Sequence, residues 1–227
     1  RSNTDVLIVD ASKGFIKVGK NNKLRASDIK RIVDVVTKRE SVDKFSKVVC
    51  RDEIRKNEYN LNIPRYVDSS EAAESWDIYA SMFGGLPLSE IDELEEYWNA
   101  FPELKATLFE NTSAAYCRLT IQDVKKAIKE HKDVCSFEEN YRAAFYDFDK
   151  YLSDELIGKM TTLNISKEET TLSSNIFERL QDIPLVDKYE AYQLLDDDWT
   201  KIAVDLEIIQ TEGFEATKRV DPNMVIK

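Results

Sequence analysis

The sequence predicts a mixed, predominantly α fold: a short α/β layer at the N-terminus, then a helical domain with a long C-terminal helix. Three observations carry this. The chain opens on VLIVD, an apolar, β-branched run too short for a helix. From about Ser69 apolar residues recur at helical spacing behind capping signals. The charge divides at the same place: residues 1–68 hold 16 Lys+Arg against 10 Asp+Glu, net +6, and the other 159 hold 16 against 33, net −17. The overall charge of −11 and pI of 4.8 thus average two unlike parts, and any polyanion contact belongs near the N-terminus.

Val6 to Asp10 reads as a buried strand, Gly14 closes the turn after it, and Phe15 to Val18 alternates apolar and polar as a second strand. Asn21 to Lys23 reads as a polar turn. Ser27 is the expected N-cap of a helix whose Ile29, Ile32, Val33 and Val36 share one face. That stripe should pack on a sheet and leave Lys30, Arg31 and Lys38 in water. Continuous apolar strands belong to parallel-type sheets covered on both faces, so two strands and one helix read as a layer begun mid-sheet, with further sequence expected before it.

Beyond Ser69, four pairs fit the capping-box spacing: Ser89 with Asp92, Thr120 with Asp123, Ser136 with Glu139 and Ser166 with Glu169. The helix after Ser136 should carry Phe137, Tyr141, Phe145, Phe148 and Leu152 on one side, as core, and end at Gly158. The longest helix is expected from about Asp187 to Thr211, between Pro184 and Gly213. Along it Tyr192, Leu195, Trp199, Ile202, Leu206 and Ile209 form an a/d seam, with Val204 and Ile208 as a second, partial stripe. A helix apolar on two sides either lies inside a bundle or offers one side to another chain.

With 227 residues and 42% hydrophobic composition, the chain can build one large domain or two small ones. No apolar run approaches the roughly 20 residues that cross a bilayer, and the start lacks signal-peptide order, so a cytoplasmic location is expected. Cys50, Cys117 and Cys135 suit reduced thiols. His131 and Cys135 lie one helical turn apart, but no second pair completes a tetrahedral metal site. Asp196, Asp197 and Asp198 point about 100 degrees apart in a helix and read as a solvated face. No GxGxxG, P-loop, GxSxG or HExxH string occurs, so the residues alone mark no catalytic, cofactor or metal site.

Three stretches carry a family resemblance: Val6 to Asp34 (VLIVDASKGFIKVGKNNKLRASDIKRIVD), Asn57 to Asp68 (NEYNLNIPRYVD) and Tyr189 to Val225. They resemble the modification (M) subunit of type I restriction-modification systems, with NLNIPRY and VLIVDAS the most specific strings. The resemblance implies a parent enzyme that transfers a methyl group from S-adenosylmethionine to adenine N6 in DNA, its target chosen by a separate specificity (S) subunit. Such subunits hold the extruded adenine at an Asn/Asp-Pro-Pro-aromatic motif and the cofactor at a Gly-containing strand-to-turn motif. Neither occurs here; Asp221-Pro222-Asn223 lacks the second proline and the aromatic residue. The chain is therefore expected to be the C-terminal part of an M subunit, downstream of both motifs, binding no S-adenosylmethionine and inactive alone. Cys50 stands where the family generally places a small hydroxyl residue.

On this resemblance residues 1–68 are the C-terminal part of the methyltransferase α/β domain and residues 69–227 a helical partner-docking domain. Expected DNA contacts are Lys13, Lys17, Lys20, Asn21, Asn22, Lys23, Arg25, Asn60, Asn62 and Arg65, the lysines alternatively being solvated loop residues and the asparagines backbone partners. Expected docking residues are the six of the seam. The implied partners are double-stranded DNA, the specificity subunit, the restriction (R) subunit and a second M subunit. The rival expectation is a stand-alone, non-enzymatic adaptor that binds nucleic acid or protein.

Overall fold

The computed structural model describes residues 4–70 and 76–218. The chain divides into two compact units: Arg1–Glu74 with Tyr189–Asp197, and Ser75–Lys188 with Asp198–Lys227. The fold class is the expected one, predominantly α with small antiparallel sheets. No described helix is long and apolar enough to cross a membrane.

The first unit runs β1 (Asp5–Val9), β2 (Ile16–Val18), β3 (Asn21–Lys23), α1 (Ala26–Lys38), β4 (Ser46–Cys50) and α2 (Arg51–Lys56), then a 3-10 turn at Ile63–Arg65. β1 and β4 pair antiparallel, Asp5 opposite Cys50 and Val9 opposite Ser46, which corrects the expected parallel-type sheet. Ile8 and Val49 face one side of this pair and are buried with Ile54, Tyr66 and Val67, the last two supplied by the chain after NLNIPR. Val6, on the same face and directly opposite Val49, is nonetheless exposed. Asn21–Lys23 is a strand paired with β2, not a turn; the reversal is made by Gly19 and Lys20, with Gly19 at φ 62°.

α1 presents the opposite face from the expected one. Ile29, Val33 and Val36 are about half exposed, whereas Ser27 and Val35 are buried. The cause is a hydrogen-bonding partner from far along the chain. Gln193 Oε1 accepts the Ser27 N–H at 3.0 Å, Tyr189 OH donates to Asp34, and Arg31 stacks between the Phe45 and Tyr189 rings. Burial, and secondarily Asp34, push the Tyr189 phenol up to about 12. Ser27 is not the N-cap. Arg25 is, and Asp28 three residues on accepts its backbone N–H at 2.8 Å, using the acidic first-turn position that the helix dipole favours.

The second unit runs α3 (Ile78–Phe83), β5 (Leu86–Pro87), α4 (Leu88–Asp92), α5 (Glu95–Ala100), α6 (Leu104–Leu108), β6 (Phe109–Asn111), β7 (Tyr116–Leu119), α7 (Val124–Lys129), α8 (Lys132–Ala144), α9 (Phe148–Leu152) and α10 (Ile165–Arg179). α11 (Lys188–Glu212), whose Tyr189–Asp197 belong to the first unit, lies within one residue of its expected bounds, and Gly213 ends it at φ 84°. The antiparallel sheet β5-β7-β6 is a correction, since only helices were expected here. Its strands are too short to show a period of two.

All four capping pairs of this unit are also corrected. Pro87 precedes α4; Asp123 caps α7 by accepting from Lys126 N; His131 Nδ1 caps α8 by accepting from Asp133 N; Asn164 caps α10 by accepting from Lys167 N. The helix expected from Ser136 to Gly158 is broken into α8 and α9, with a π-helical turn at Ser153–Ile157. Phe101, Leu104 and Leu108 are the buried centre of one core, and Phe137 meets Phe101 edge-on at 5.7 Å. Along α10 and its C-cap, Leu172, Ile176 and Leu180 are buried at successive four-residue steps.

Candidate nucleic-acid interface

The β2–β3 hairpin carries the densest group of the expected DNA contacts. Every residue from 15 to 24 is exposed. Cross-strand partners share a face, so Lys17 sits with Asn22, and Ile16 with Lys23 shares the other face with Val18 and Asn21. Lys20 occupies the tip. Among the described residues no carboxylate pairs with Lys17, Lys20 or Lys23, unlike Arg39 on Asp5 or Lys47 on Glu53. Three exposed cations on one short hairpin, with no carboxylate partner among the described residues, constitute an anion-seeking surface.

Arg25 is placed differently. Its guanidinium donates to both Glu190 oxygens, at 2.8 and 3.0 Å, and to Asp28, and these bonds raise its already high pKa further. It is spent on tying α1 to residues 189–193 within its unit. Sequence reasoning missed Glu190 and Gln193 in this role, because nothing local marks a partner 165 residues away. Lys13 lines a cleft of about 310 Å³ together with Asp10, Asp28, Arg31, Asp43 and Lys44. Hydrogen bonds from Ser12 and Ser69 hold the Asp10 carboxyl below its ordinary range. Of its lining carboxylates, Asp28 is already bound by Arg25.

Of the two asparagines of NLNIPRY, Asn60 serves the backbone through its side chain. Asn60 Oδ1 accepts the Asn62 N–H at 3.0 Å, and the Asn60 carbonyl accepts the buried Tyr66 hydroxyl at 2.6 Å. Arg65 lies exposed on the 3-10 turn beside them. Glu58 and Tyr59, just before, both take left-handed backbone, at φ 56° and 59°. Consecutive non-glycine residues there are uncommon and sharply turn the chain into NLNIPRY.

Along α11 the a/d seam splits. Tyr192, Trp199 and Leu206, seven residues apart, are buried within the chain; Leu195 and Ile209 are half-buried, and Ile202 is 37% exposed. His131, buried as the α8 cap, receives a backbone N–H on Nδ1 and therefore carries its proton on Nε2, 3.2 Å from Thr107 Oγ1. Among the described residues no group of three or more His, Cys, Asp or Glu side chains could hold a metal. Gln193 donates to Asp197, and Lys201 pairs with Asp198, as on a solvated helix face.

Residues 1–75 match the family model described as N-6 DNA Methylase. The match covers these N-terminal 75 residues of the chain. The type I restriction enzyme MpnII methylase subunit of Mycoplasma pneumoniae is 36% identical over 73 residues, 32% of this chain and 13% of that protein. The MjaVIII methylase subunit of Methanocaldococcus jannaschii is 37% identical over 109 residues, 46% of this chain and 18% of that protein. The chain thus matches less than a fifth of the length of these curated relatives. The solved structure of a type I restriction-modification methyltransferase subunit from Streptococcus thermophilus shares 44% identity, covering 31% of this chain and 15% of that one, with a TM-score of 0.30. The resemblance to an M subunit read from VLIVDAS and NLNIPRY is borne out. The hairpin lysines lie inside the N-6 DNA methylase match.

Proposed function

We propose that this chain is part of the M subunit of a type I restriction-modification enzyme, whose parent methylates adenine N6 in DNA with S-adenosylmethionine as donor. The N-terminal unit borders the DNA, and the open line of the α11 seam, Leu195, Ile202 and Ile209, docks the specificity subunit. The observation that carries this reading is the coincidence of the N-6 DNA methylase match over residues 1–75 with three unpaired, exposed lysines on one hairpin inside it. The methyl donor and the extruded adenine are held by parts of the parent other than these residues, so the chain alone is expected to bind no cofactor and transfer no methyl group. Association with the restriction subunit and with a second M subunit belongs to the same reading.

Fluorescence anisotropy of a labelled duplex oligonucleotide with the chain, across a salt series, tests the DNA part. Each phosphate contact should contribute about −0.9 to the slope of log affinity against log salt, so three lysines give roughly −2.7. Absence of any salt-dependent binding in dilute buffer would reject it.

A further inference from the structure

We infer that the β2–β3 hairpin is a groove-entering ribbon, seated in the major groove of duplex DNA rather than resting on the phosphates outside it. This rests on the DNA-bordering reading above and adds how the surface engages its ligand. Each arm has three paired residues, so at about 3.3 Å per residue the ribbon projects roughly 10 Å, comparable with the depth of about 8.5 Å of the major groove. Two strands about 4.8 Å apart, dressed with side chains, fit a groove roughly 12 Å wide and overfill one of roughly 6 Å.

The distribution of side chains agrees with a ribbon held between two walls. One face carries Lys17 with Asn22 and the other carries Lys23 and Asn21 with the apolar Ile16 and Val18, so each face offers one cation and one amide. Lys20 stands at the tip next to Asn21. Facing the two walls, Lys17 and Lys23 meet phosphates of opposite strands, while Asn21, next to the reversal, and Asn22, one residue further and level with Lys17, reach toward the floor. There a side-chain amide can both donate to and accept from base edges. Gly19 at φ 62° allows the tight reversal that keeps the tip narrow, and an added Cβ would meet nothing within 4 Å, so its requirement is conformational.

The test uses the full chain and a labelled duplex. Asn21→Ala with Asn22→Ala removes no charge, and both positions are exposed, so folding is unaffected. Affinity should fall on the order of tenfold with the salt slope unchanged, the expected signature of lost base-edge contacts. Methyl green, which occupies the major groove, should displace the chain, and netropsin, which occupies the minor groove, should not. Full affinity of the double variant, or displacement by netropsin alone, overturns the groove assignment while leaving DNA binding intact. If the unaltered chain binds no duplex at all, the underlying DNA reading falls, and this inference with it.

Discussion

The Arg179 guanidinium donates to the Ala144 carbonyl at 2.6 Å, closing the last turn of α8 from a residue on α10. The same side chain donates to Asp147 at 2.7 Å and to Asn175 at 2.7 Å, and lies over the rings of Phe145, Phe148 and Tyr151 at 5.3 to 6.0 Å. A cation at a helix C-terminus satisfies carbonyls that have no partner in the helix, and the rings shield it from water. This explains why an aromatic stripe that looks continuous in sequence breaks between α8 and α9.

Arg179→Ala should therefore destabilise the chain by roughly 2 to 4 kcal/mol in urea unfolding, since charged hydrogen bonds and ring contacts go together. Arg179→Lys should recover only part of this, because an ammonium cannot fork between carbonyl and carboxylate while stacking.

Trp199→Ala should cost about 3 to 5 kcal/mol, as for a large side chain removed from a packed interior, Trp199 being 6% exposed. Ile202→Ala should leave the melting temperature within about a degree or two but weaken capture of the specificity subunit. Thermal unfolding and co-purification read the two separately. Equal loss of stability from both changes would show that the seam has no open line.

Glu168 on α10 is buried, and its Oε1 has no hydrogen-bond partner among the described residues. Burial, then the charge of Glu155, raise its pKa, with Lys159 acting in the opposite sense. A carboxyl raised in the folded state holds its proton more tightly there than when unfolded. Stability from this group is thus greatest below the ordinary carboxylate range and declines as pH climbs through the raised value. Glu168→Gln should match the unaltered chain near pH 4 and melt higher above it, the gap widening toward neutrality. A constant gap across that range would remove the titration account.

Cys117 is fully buried and burial pushes its thiol up, while Cys50 and Cys135 are exposed. A thiol reagent should label two cysteines quickly and the third only on unfolding. Cys50 is the N-cap of α2 without a side-chain cap bond, as expected of a thiol, so Cys50→Ser should add about 0.5 to 1 kcal/mol.

What could be read from sequence divides along physical lines. α11 was legible because 25 residues sustain a regular apolar spacing, and the hairpin lysines because local charge density needs no tertiary knowledge. The caps were not. Ser136 fits the capping pattern, yet His131 supplies the acceptor one turn earlier, and Asn164 likewise pre-empts Ser166. The face of α1 was illegible for a different reason: Gln193 and Glu190 engage its polar side, overriding the apolar stripe at Ile29, Val33 and Val36. Strand β3 reads NNK, a turn composition, and becomes a strand only because Gly19 reverses the chain just before it.

The most direct measurement is the duplex affinity of the assembled parent enzyme carrying Lys17→Glu, Lys20→Glu and Lys23→Glu, with retention of its specificity subunit followed in the same preparation. Reversing three charges at an exposed hairpin should weaken DNA binding on the order of a hundredfold at moderate salt while the specificity subunit still co-purifies. Unchanged DNA affinity in the fully assembled variant would contradict the assignment of the N-terminal unit to DNA.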